Sequence, residues 1–369
     1  MAGKGKRQVV RAAGAMSGTS LDGVDIAVID TDGVDVMGFG PSWSVPYSDA
    51  DRAVLRAGLG AWPGEARAEA AAAAVARAHI AAAEGLPEVS VLGYHGQTLA
   101  HDPAAGRTHQ VGDGAAFAAA LGCPVVWDFR SADMELGGQG APLAPFYHWA
   151  CARFIGADGP VAFLNLGGVG NVSWVDPRAD APEAPGACLA FDTGPANAPI
   201  DDMMATRGLG AYDADGALAA KGQVDVDLLT EILNDPWFDD PAPKSLDRDA
   251  FARLAQATET LHDADAAATL TAISAGAVAR GLQHLPERPT RILVTGGGRK
   301  NATLMAMLAE ATGAQAQPVE THGLNGDALE AQAFAYLAVR VLNGLPTSAP
   351  GTTGVAAPVG GGRRTAPPP

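Results

Sequence analysis

Residues 17–23 read Ser17, Gly18, Thr19, Ser20, Leu21, Asp22, Gly23, which crowds hydroxyls, glycines and a carboxylate into one short stretch. A tight connection between strands needs only about two residues, so a turn of this length serves something besides chain reversal. Glycine lets a backbone approach a ligand closely, and N–H groups beside hydroxyls and a carboxylate are the parts of a phosphate and magnesium site. Asp22 is placed to reach a hydrated Mg²⁺. Two further glycine turns repeat the idea. Gly167, Gly168 and Gly170 lie between Asn165 and Asn171, and Gly296, Gly297 and Gly298 precede a helix expected to begin near Asn301. The last of these is neither a Walker A loop nor a dinucleotide fingerprint, because it lacks the terminal GK[ST] of one and the spacing of the other. It still allows a flat ring or a phosphate to rest against a helix N-terminus. No lysine lies inside the first two turns, so a phosphate there would be held by N–H groups and hydroxyls.

The elements that carry these turns alternate between strand and helix. Residues 12–30 read as strand, turn, strand, and 161–176 repeat that pattern. Strands are expected over 89–98, 124–129 and 188–197, and another leads into the turn at Gly296. Helices are expected over 64–85, 113–122, 263–285 and 327–344, the last stopped by Gly344 and Pro346. Such alternation predicts α/β layers with parallel strands, in which turns at the carboxyl ends of strands gather where ligands bind. The recurrence of the opening hairpin predicts two similar domains. Residues 236–249, rich in proline and charge, read as a surface insertion, and the closing GGGRRTAPPP reads as a frayed end.

The whole chain is consistent with this. Its 369 residues suit two domains, and 47% hydrophobic against 18% charged residues suits a large packed core. A formal net charge of −16 argues against nucleic acid or an anionic membrane as partner, though not against ATP. Cys123, Cys151 and Cys188 include no CxxC pair, so buried thiols in a reducing compartment are expected. The basic start MAGKGKRQVV has no apolar core behind it, and no apolar run approaches the ~20 residues of a spanning helix. The expected compartment is the cytoplasm.

A closer resemblance is carried by AMSGTSLDGVD (15–25), GYHGQT (93–98), DFRSADMELGGQGAPLAP (128–145), NLGGVGNVS (165–173), FDTGPAN (191–197), PKSLDR (243–248) and TGGG (295–298). In this order, across nearly the whole chain, they resemble the anhydro-N-acetylmuramic acid kinase family within the sugar kinase, heat-shock and actin superfamily. The resemblance implies an α/β fold of two related ribonuclease-H-like domains around a central ATP and sugar cleft that closes by hinge motion. The domains are drawn at 1–150 and 151–345, with a tail at 346–369 and the final helix able to return to the first domain. It implies a homodimer, and use of ATP, Mg²⁺ and water to open the 1,6-anhydro sugar and phosphorylate O6. The ATP-phosphate segment carries over onto Gly18, Thr19, Ser20, Leu21, Asp22, Gly23, Val24 and Asp25, and the catalytic aspartate onto Asp192. Sugar contacts are expected at His95, Gln97, Arg130, Gln139, Asn197 and Glu330, with Asp133, Lys244 and Arg248 as further polar candidates.

The chemistry explains the aspartate. An anhydro sugar has no free 6-hydroxyl, so water must reach C1 before the released O6 takes the phosphoryl group, and one carboxylate can accept the water's proton. Asp192, leaving an apolar strand, is the expected base. Its DTG triplet also occurs in aspartic proteases, which need a second such aspartate that this chain lacks. His95, His101 and His109 have no zinc-motif spacing. A kinase for another amino sugar and an actin-like ATPase are the rival readings. Ala196 replaces a family glycine and Pro199 an aliphatic residue, so a somewhat altered turn after Asp192 is expected, and Leu246 and Asp247 replace the usual Thr-Gly of the PKSLDR loop.

Overall fold

The computed structural model describes residues 7–242, 244–246, 251, 253–289 and 291–369. The chain divides into two compact units: Met1–Gly156, Ala181–Pro185 and Ala328–Pro369 form the first, and Ala157–Asp180 and Gly186–Asp327 the second. Strands β1 (Val10–Ser17), β2 (Gly23–Thr31), β3 (Val36–Pro46), β4 (Val91–Asp102), β5 (Arg107–Val111) and β6 (Val125–Trp127) come first along the chain. Strands β7 (Val161–Leu166), β8 (Val169–Val175), β9 (Cys188–Pro195), β10 (Arg291–Thr295) and β11 (Gln315–Pro318) follow, and β12 (Arg363–Thr365) lies near the end.

In the first unit the sheet runs β12-β6-β4-β1-β2-β3, with β5 paired to β4. β1 and β3 flank β2 antiparallel, while β4 lies parallel to β1 and β6 parallel to β4. In the second unit the order is β11-β10-β7-β8-β9. Here β7 and β9 flank β8 antiparallel, while β10 lies parallel to β7 and β11 parallel to β10. The plan of a three-stranded meander extended by two parallel strands therefore occurs twice, as the recurring hairpin predicted, and it is the ribonuclease-H-like arrangement that the resemblance implied. The turn 17–23 closes the carboxyl end of β1 and the turn 167–168 that of β7, so both turns sit where the sheet stops.

Burial explains why the central strands are so uniformly apolar. Parallel strands covered on both faces need apolar side chains at every position, and Ala12, Ala13, Ala15, Val91, Leu92, Ile292, Leu293 and Val294 are all fully buried. Two glycines interrupt this pattern for a reason of space. A Cβ on Gly14 would lie 1.8 Å from the carbonyl oxygen of Ala331, and one on Gly93 would lie 2.0 Å from that of Phe334. The helix Leu329–Leu342 thus rests its backbone directly on β1 and β4. For this reason it belongs with the first unit and not, as the 151–345 boundary had it, with the second. Its first turn carries Glu330 to that sheet.

The tail also departs from expectation. The closing GGGRRTAPPP is not frayed throughout: β12 pairs antiparallel with β6 and Trp127 donates its indole N–H to Thr365 Oγ1 at 3.0 Å, while upstream Ser348, Thr352 and Thr353 are buried. The Ala-rich helix Ala66–Ala82 packs Ala71, Ala74 and Val75 into the core of the first unit. Cys123, Cys151 and Cys188 are free thiols, the last two buried. Among the described residues no helix is long and apolar enough to cross a membrane.

Adding one methyl group at Gly93 forces the final helix off the sheet. We expect Gly93→Ala to lower the unfolding free energy by roughly 3 kcal/mol, the upper range for overpacking. Urea unfolding checks this, and an unchanged midpoint would contradict the close packing of the helix.

Candidate active site

The first-unit turn has the makings of an anion cradle. Within it only the Leu21 amide donates to the chain, to Gly18 O at 3.1 Å; the amides of Gly18, Thr19, Ser20 and Asp22 have no partner among the described residues. Thr19, Ser20 and Asp22 are exposed. Leu21 adopts φ 59° while its side chain is buried in the core. A bulky residue in this left-handed region stores strain of about 1 kcal/mol or more, and the buried side chain holds it there. Leu21 and Val24 therefore can meet a nucleotide only through backbone, since both side chains face the core. Gly23 is tied down as the first residue of β2, opposite Pro46, and Asp25 follows on the same strand.

Gln97 corrects the sequence expectation. It is fully buried, accepts from Ser17 Oγ at 2.8 Å and donates to Thr98 O at 3.1 Å. Tyr47 in turn donates its hydroxyl to Ser17 Oγ at 2.9 Å. Buried in this way, the amide fixes the ends of β1 and β4 and presents no accessible surface to a sugar. Burial pushes the Tyr47 hydroxyl up to about 12, so it stays a donor.

His95, Arg130 and Glu330 form a second group in the same unit. His95 Nδ1 lies 3.1 Å from Gly96 O, and Nε2 lies 3.0 Å from Arg130 Nη2 and 3.3 Å from Nε. A guanidinium always donates, so Nε2 is the acceptor and Nδ1 carries the hydrogen. Burial, then the Arg130 charge, holds His95 well below its ordinary value, and the ring is neutral. Arg130 also donates to Gly140 O at 3.2 Å; burial pulls its guanidinium down to about 10 against the opposing pull of Glu330 and Asp133. Glu330 is accessible yet crowded by protein on its other sides. Desolvation first and Asp25 second raise its carboxyl, while Arg130 opposes them. Gln139 is half-buried, its amide bonded to Thr353 O at 2.8 Å. Asp133, expected as a sugar or lactyl contact, is 1% exposed and satisfied by protein donors.

In the second unit the glycine turns meet. A Cβ on Gly296 would come 2.3 Å from Asn165 Oδ1 and 2.7 Å from Leu166 O, and one on Gly298 would come 2.5 Å from Leu166 Cβ. Gly296 also has φ 72°, which glycine adopts freely. Asn197 sits beside both turns: it donates to Leu166 O at 2.8 Å, and its amide nitrogen would lie 3.5 Å from a Cβ on Gly297. It thus groups with the Gly167, Gly168 and Gly297 backbone. Asn301 caps the helix Ala302–Thr312, as expected for the end of the glycine turn. Ala196 takes φ −128° and ψ −109°, outside the regular helix and strand regions, in line with the altered turn expected after Asp192.

Asp192 stands at the centre of this unit's polar residues. Asn171 Nδ2 donates to its Oδ1 at 2.8 Å and the Leu246 amide to its Oδ2 at 2.7 Å, while its own amide donates to Lys244 O at 3.0 Å. No cation pairs with it among the described residues. Burial raises its carboxyl above the ordinary value, and the two hydrogen bonds oppose that rise. Within the 236–249 segment Lys244 is not a solvated charge, although Ser245 beside it is exposed. Lys244 is buried, donates to Trp237 O at 3.1 Å and Phe238 O at 3.0 Å, and lies 4.4 Å from the Trp237 ring centroid. Arg248 lies outside the described residues.

Sequence reasoning missed the groups that act through backbone. The Leu246 N–H has no sequence signature. Arg299, next to the third glycine turn, could have been singled out as a cation following Gly298. It is buried and donates to Gly296 O at 2.8 Å and Glu320 Oε1 at 2.9 Å, with Asp327 also 2.8 Å away. This pins the turn. Among the described residues no three His, Cys, Asp or Glu side chains cluster as a metal site. Magnesium needs no such cluster, because it takes one or two carboxylates with water and phosphate oxygens; Asp22 is exposed beside amides that have no partner among the described residues.

The family model for anhydro-N-acetylmuramic acid kinase matches residues 10–365. A protein of Jannaschia sp. (strain CCS1) named anhydro-N-acetylmuramic acid kinase 1 is 71% identical over 100% of this chain and 98% of its own length. An anhydro-N-acetylmuramic acid kinase of Cereibacter sphaeroides is 61% identical over 98% of each chain. Among solved structures, a ROK family glucokinase from Streptomyces griseus aligns at TM-score 0.43 and 14% identity, over 89% of this chain and 99% of that one. By the span of the family match and the identity of its relatives, this chain belongs to the anhydro-N-acetylmuramic acid kinase family.

Proposed function

We propose that the chain is an ATP-dependent kinase acting on 1,6-anhydro-N-acetylmuramic acid. It opens the anhydro ring with water and phosphorylates O6, giving N-acetylmuramic acid 6-phosphate and ADP in peptidoglycan recycling. The observation that carries this reading is Asp192: a half-buried carboxylate, free of any cation among the described residues, held by Asn171 and Leu246. Its raised basicity suits removal of a proton from water. As the C1–O6 bond breaks, the hydroxide stays on C1 and O6 leaves with the bonding pair. O6 then attacks the γ-phosphorus, and ADP departs.

The unpartnered amides of the 17–23 turn and the glycine backbone of 167–168 supply donors to phosphate oxygens. Magnesium, when bound, neutralises charge on those oxygens, and Asp22 is the residue that would hold it. Gly296, Gly297 and Gly298 offer a flat, side-chain-free surface to the nucleotide, fixed by Arg299. His95, Arg130, Gln139 and Glu330 serve the sugar, with Arg130 as the cation for its anionic group. The family resemblance further supports a cytoplasmic homodimer.

A coupled ADP-release assay decides between this reading and its rivals. ADP should appear with ATP and the anhydro sugar, and neither with ATP alone nor with N-acetylglucosamine. Slow hydrolysis indifferent to sugar would favour an actin-like ATPase. Asp192→Asn should lose at least about a thousandfold in kcat, the upper range for general-base removal, yet bind ATP unchanged in calorimetry; substantial turnover would reject the base.

The pH profile gives a second check. A base works only when deprotonated, so kcat should fall about tenfold for each pH unit below the Asp192 pKa. Because burial raises that pKa, the fall begins at a higher pH than an aspartate at the ordinary value of 3.8 would impose. Asn171→Ala removes a donor that favours the charged form, so the acid limb should move further up. A limb fixed at the ordinary value in both proteins would take Asp192 out of this role.

A further inference from the structure

Asp133 is a buried carboxyl group with no part in the chemistry proposed above. It lies in the short helix Ser131–Glu135, and its hydrogen bonds come from two distant places in the chain. Oδ1 accepts the Gly140 amide at 2.7 Å, while Oδ2 accepts Ser348 Oγ at 2.5 Å and Thr353 Oγ1 at 2.6 Å. Ser348 is 1% exposed and Thr353 fully buried. The Gly138–Gly140 backbone wraps this group closely. The Gly138 amide donates to Asp133 O at 2.9 Å, and a Cβ on Gly138 would come 2.0 Å from Oδ1. From the other side the Gln139 amide donates to Thr353 O at 2.8 Å.

The loop held in this way braces the side chain of Arg130. Gly140 O accepts Arg130 Nη1 at 3.2 Å, and the same guanidinium donates to His95 Nε2. A continuous series of hydrogen bonds therefore runs from the hydroxyls of Ser348 and Thr353 through Asp133 and Gly140 to Arg130 and His95. A buried polar network of this kind holds one geometry only while every member is satisfied. The segment bearing the two hydroxyls is itself anchored: the Ser348 and Val359 backbones pair, and the Gly361 amide donates to Thr347 Oγ1 at 2.8 Å.

We infer that Asp133, Ser348 and Thr353 form a positioning node that aims Arg130 at the sugar, so that the C-terminal segment sets substrate affinity from beneath the 138–140 loop. This rests on the reading of Arg130 and His95 as sugar-side residues. Among the described residues none of the node's hydrogen bonds reaches the phosphate turn 17–23 of the same unit. Loosening it should therefore weaken sugar binding selectively.

The test uses full-length enzyme with Thr353→Val, Ser348→Ala and the conservative Thr353→Ser. Steady-state kinetics give KM for each substrate, and hydrogen exchange reads the amides of residues 138–140. We expect Thr353→Val to raise KM for the anhydro sugar about tenfold, in line with losing a hydrogen bond to a charged group. KM for ATP should stay within about twofold, well under the change that one such bond produces. The Gly140 amide should exchange faster, and Thr353→Ser should restore all three values. Ser348→Ala should show the same split, and it carries the test if Thr353→Val does not fold. A lower melting temperature with both KM values and the loop exchange unchanged would mark the contacts as structural only and overturn the node. Equal shifts in both KM values would do the same. Wild-type enzyme without sugar-dependent turnover would instead overturn the functional reading, and the node's link to substrate with it, even if loop exchange still responded to Thr353→Val.

Discussion

In the proposed role the carboxyl group of Asp192 must be ionised to take a proton and basic enough to want one, and among the described residues its side-chain partners are neutral donors. A cation within a few ångströms would keep the group ionised but depress its pKa, and so its strength as a base. An amide N–H and a carboxamide stabilise the charge less. Burial then lifts the pKa while Asn171 and the Leu246 amide keep the ionised form within reach. The pairing of strands arranges this. β8 and β9 shift register between Gly170 and Asn171, so that Gly170 faces Gly194 while Asn171 faces Asp192. Thr193 is the extra residue of that irregularity, and its buried hydroxyl has no hydrogen-bond partner among the described residues. An unsatisfied hydroxyl is a standing cost of about 1–3 kcal/mol, and it accompanies the one register that sets the amide of Asn171 across from the carboxylate.

The repeated fold shows how one plan yields two kinds of turn. In each unit the first strand ends beside the parallel strand reached by crossover. In the first unit that neighbour brings His95, Gly96 and Gln97 alongside Met16 and Ser17; in the second, β10 brings Thr295 and then the glycine turn alongside Asn165. The first turn is long and leaves most of its amides free, whereas the second is short and cramped by Gly296 and Gly298. Topology supplies the place. Length and side-chain size decide what can be held there.

Much of this was legible because strands and glycine turns are local features. The hairpins at 12–30 and 161–176, the helix cap at Asn301 and the close of the last helix all follow from short-range pattern. Polar residues were harder to place, since residue type does not say whether the partner is water, ligand or protein. Gln97 and Asp133 look like sugar contacts in sequence, yet both are consumed inside the first unit. Lys244 looks like a loop charge, but its amine lies over the Trp237 ring and donates to two carbonyls. The tail was misjudged because GGGRRTAPPP carries no periodicity, while its order comes from pairing with β6 and from the hydroxyls bound to Asp133. Long-range partners of that kind leave no mark on nearby sequence.

The substitution at Ala196 reads in sequence as a somewhat altered turn, and the backbone around it explains why the glycine could be given up. Within FDTGPAN the position that demands glycine is Gly194, at φ 136°, where a Cβ would press on Ala277 at 2.9 Å and Phe238 at 3.0 Å. Ala196 has a negative φ, is fully buried and has room for its methyl group. Its amide and that of Ala198 donate to Gly168 O at 3.1 and 3.2 Å, and the Asn197 amide donates to Gly167 O at 2.9 Å. The start of the helix Asn197–Thr206 is therefore spent on the carbonyls of the second glycine turn. In a trans peptide the C=O and the following N–H point in opposite directions. Anchoring the carbonyls of Gly167 and Gly168 against that helix turns the amides of Gly168 and Val169 the other way. What positions the donors of this turn is thus the helix that follows Asp192, and alanine at 196 keeps every bond that does so.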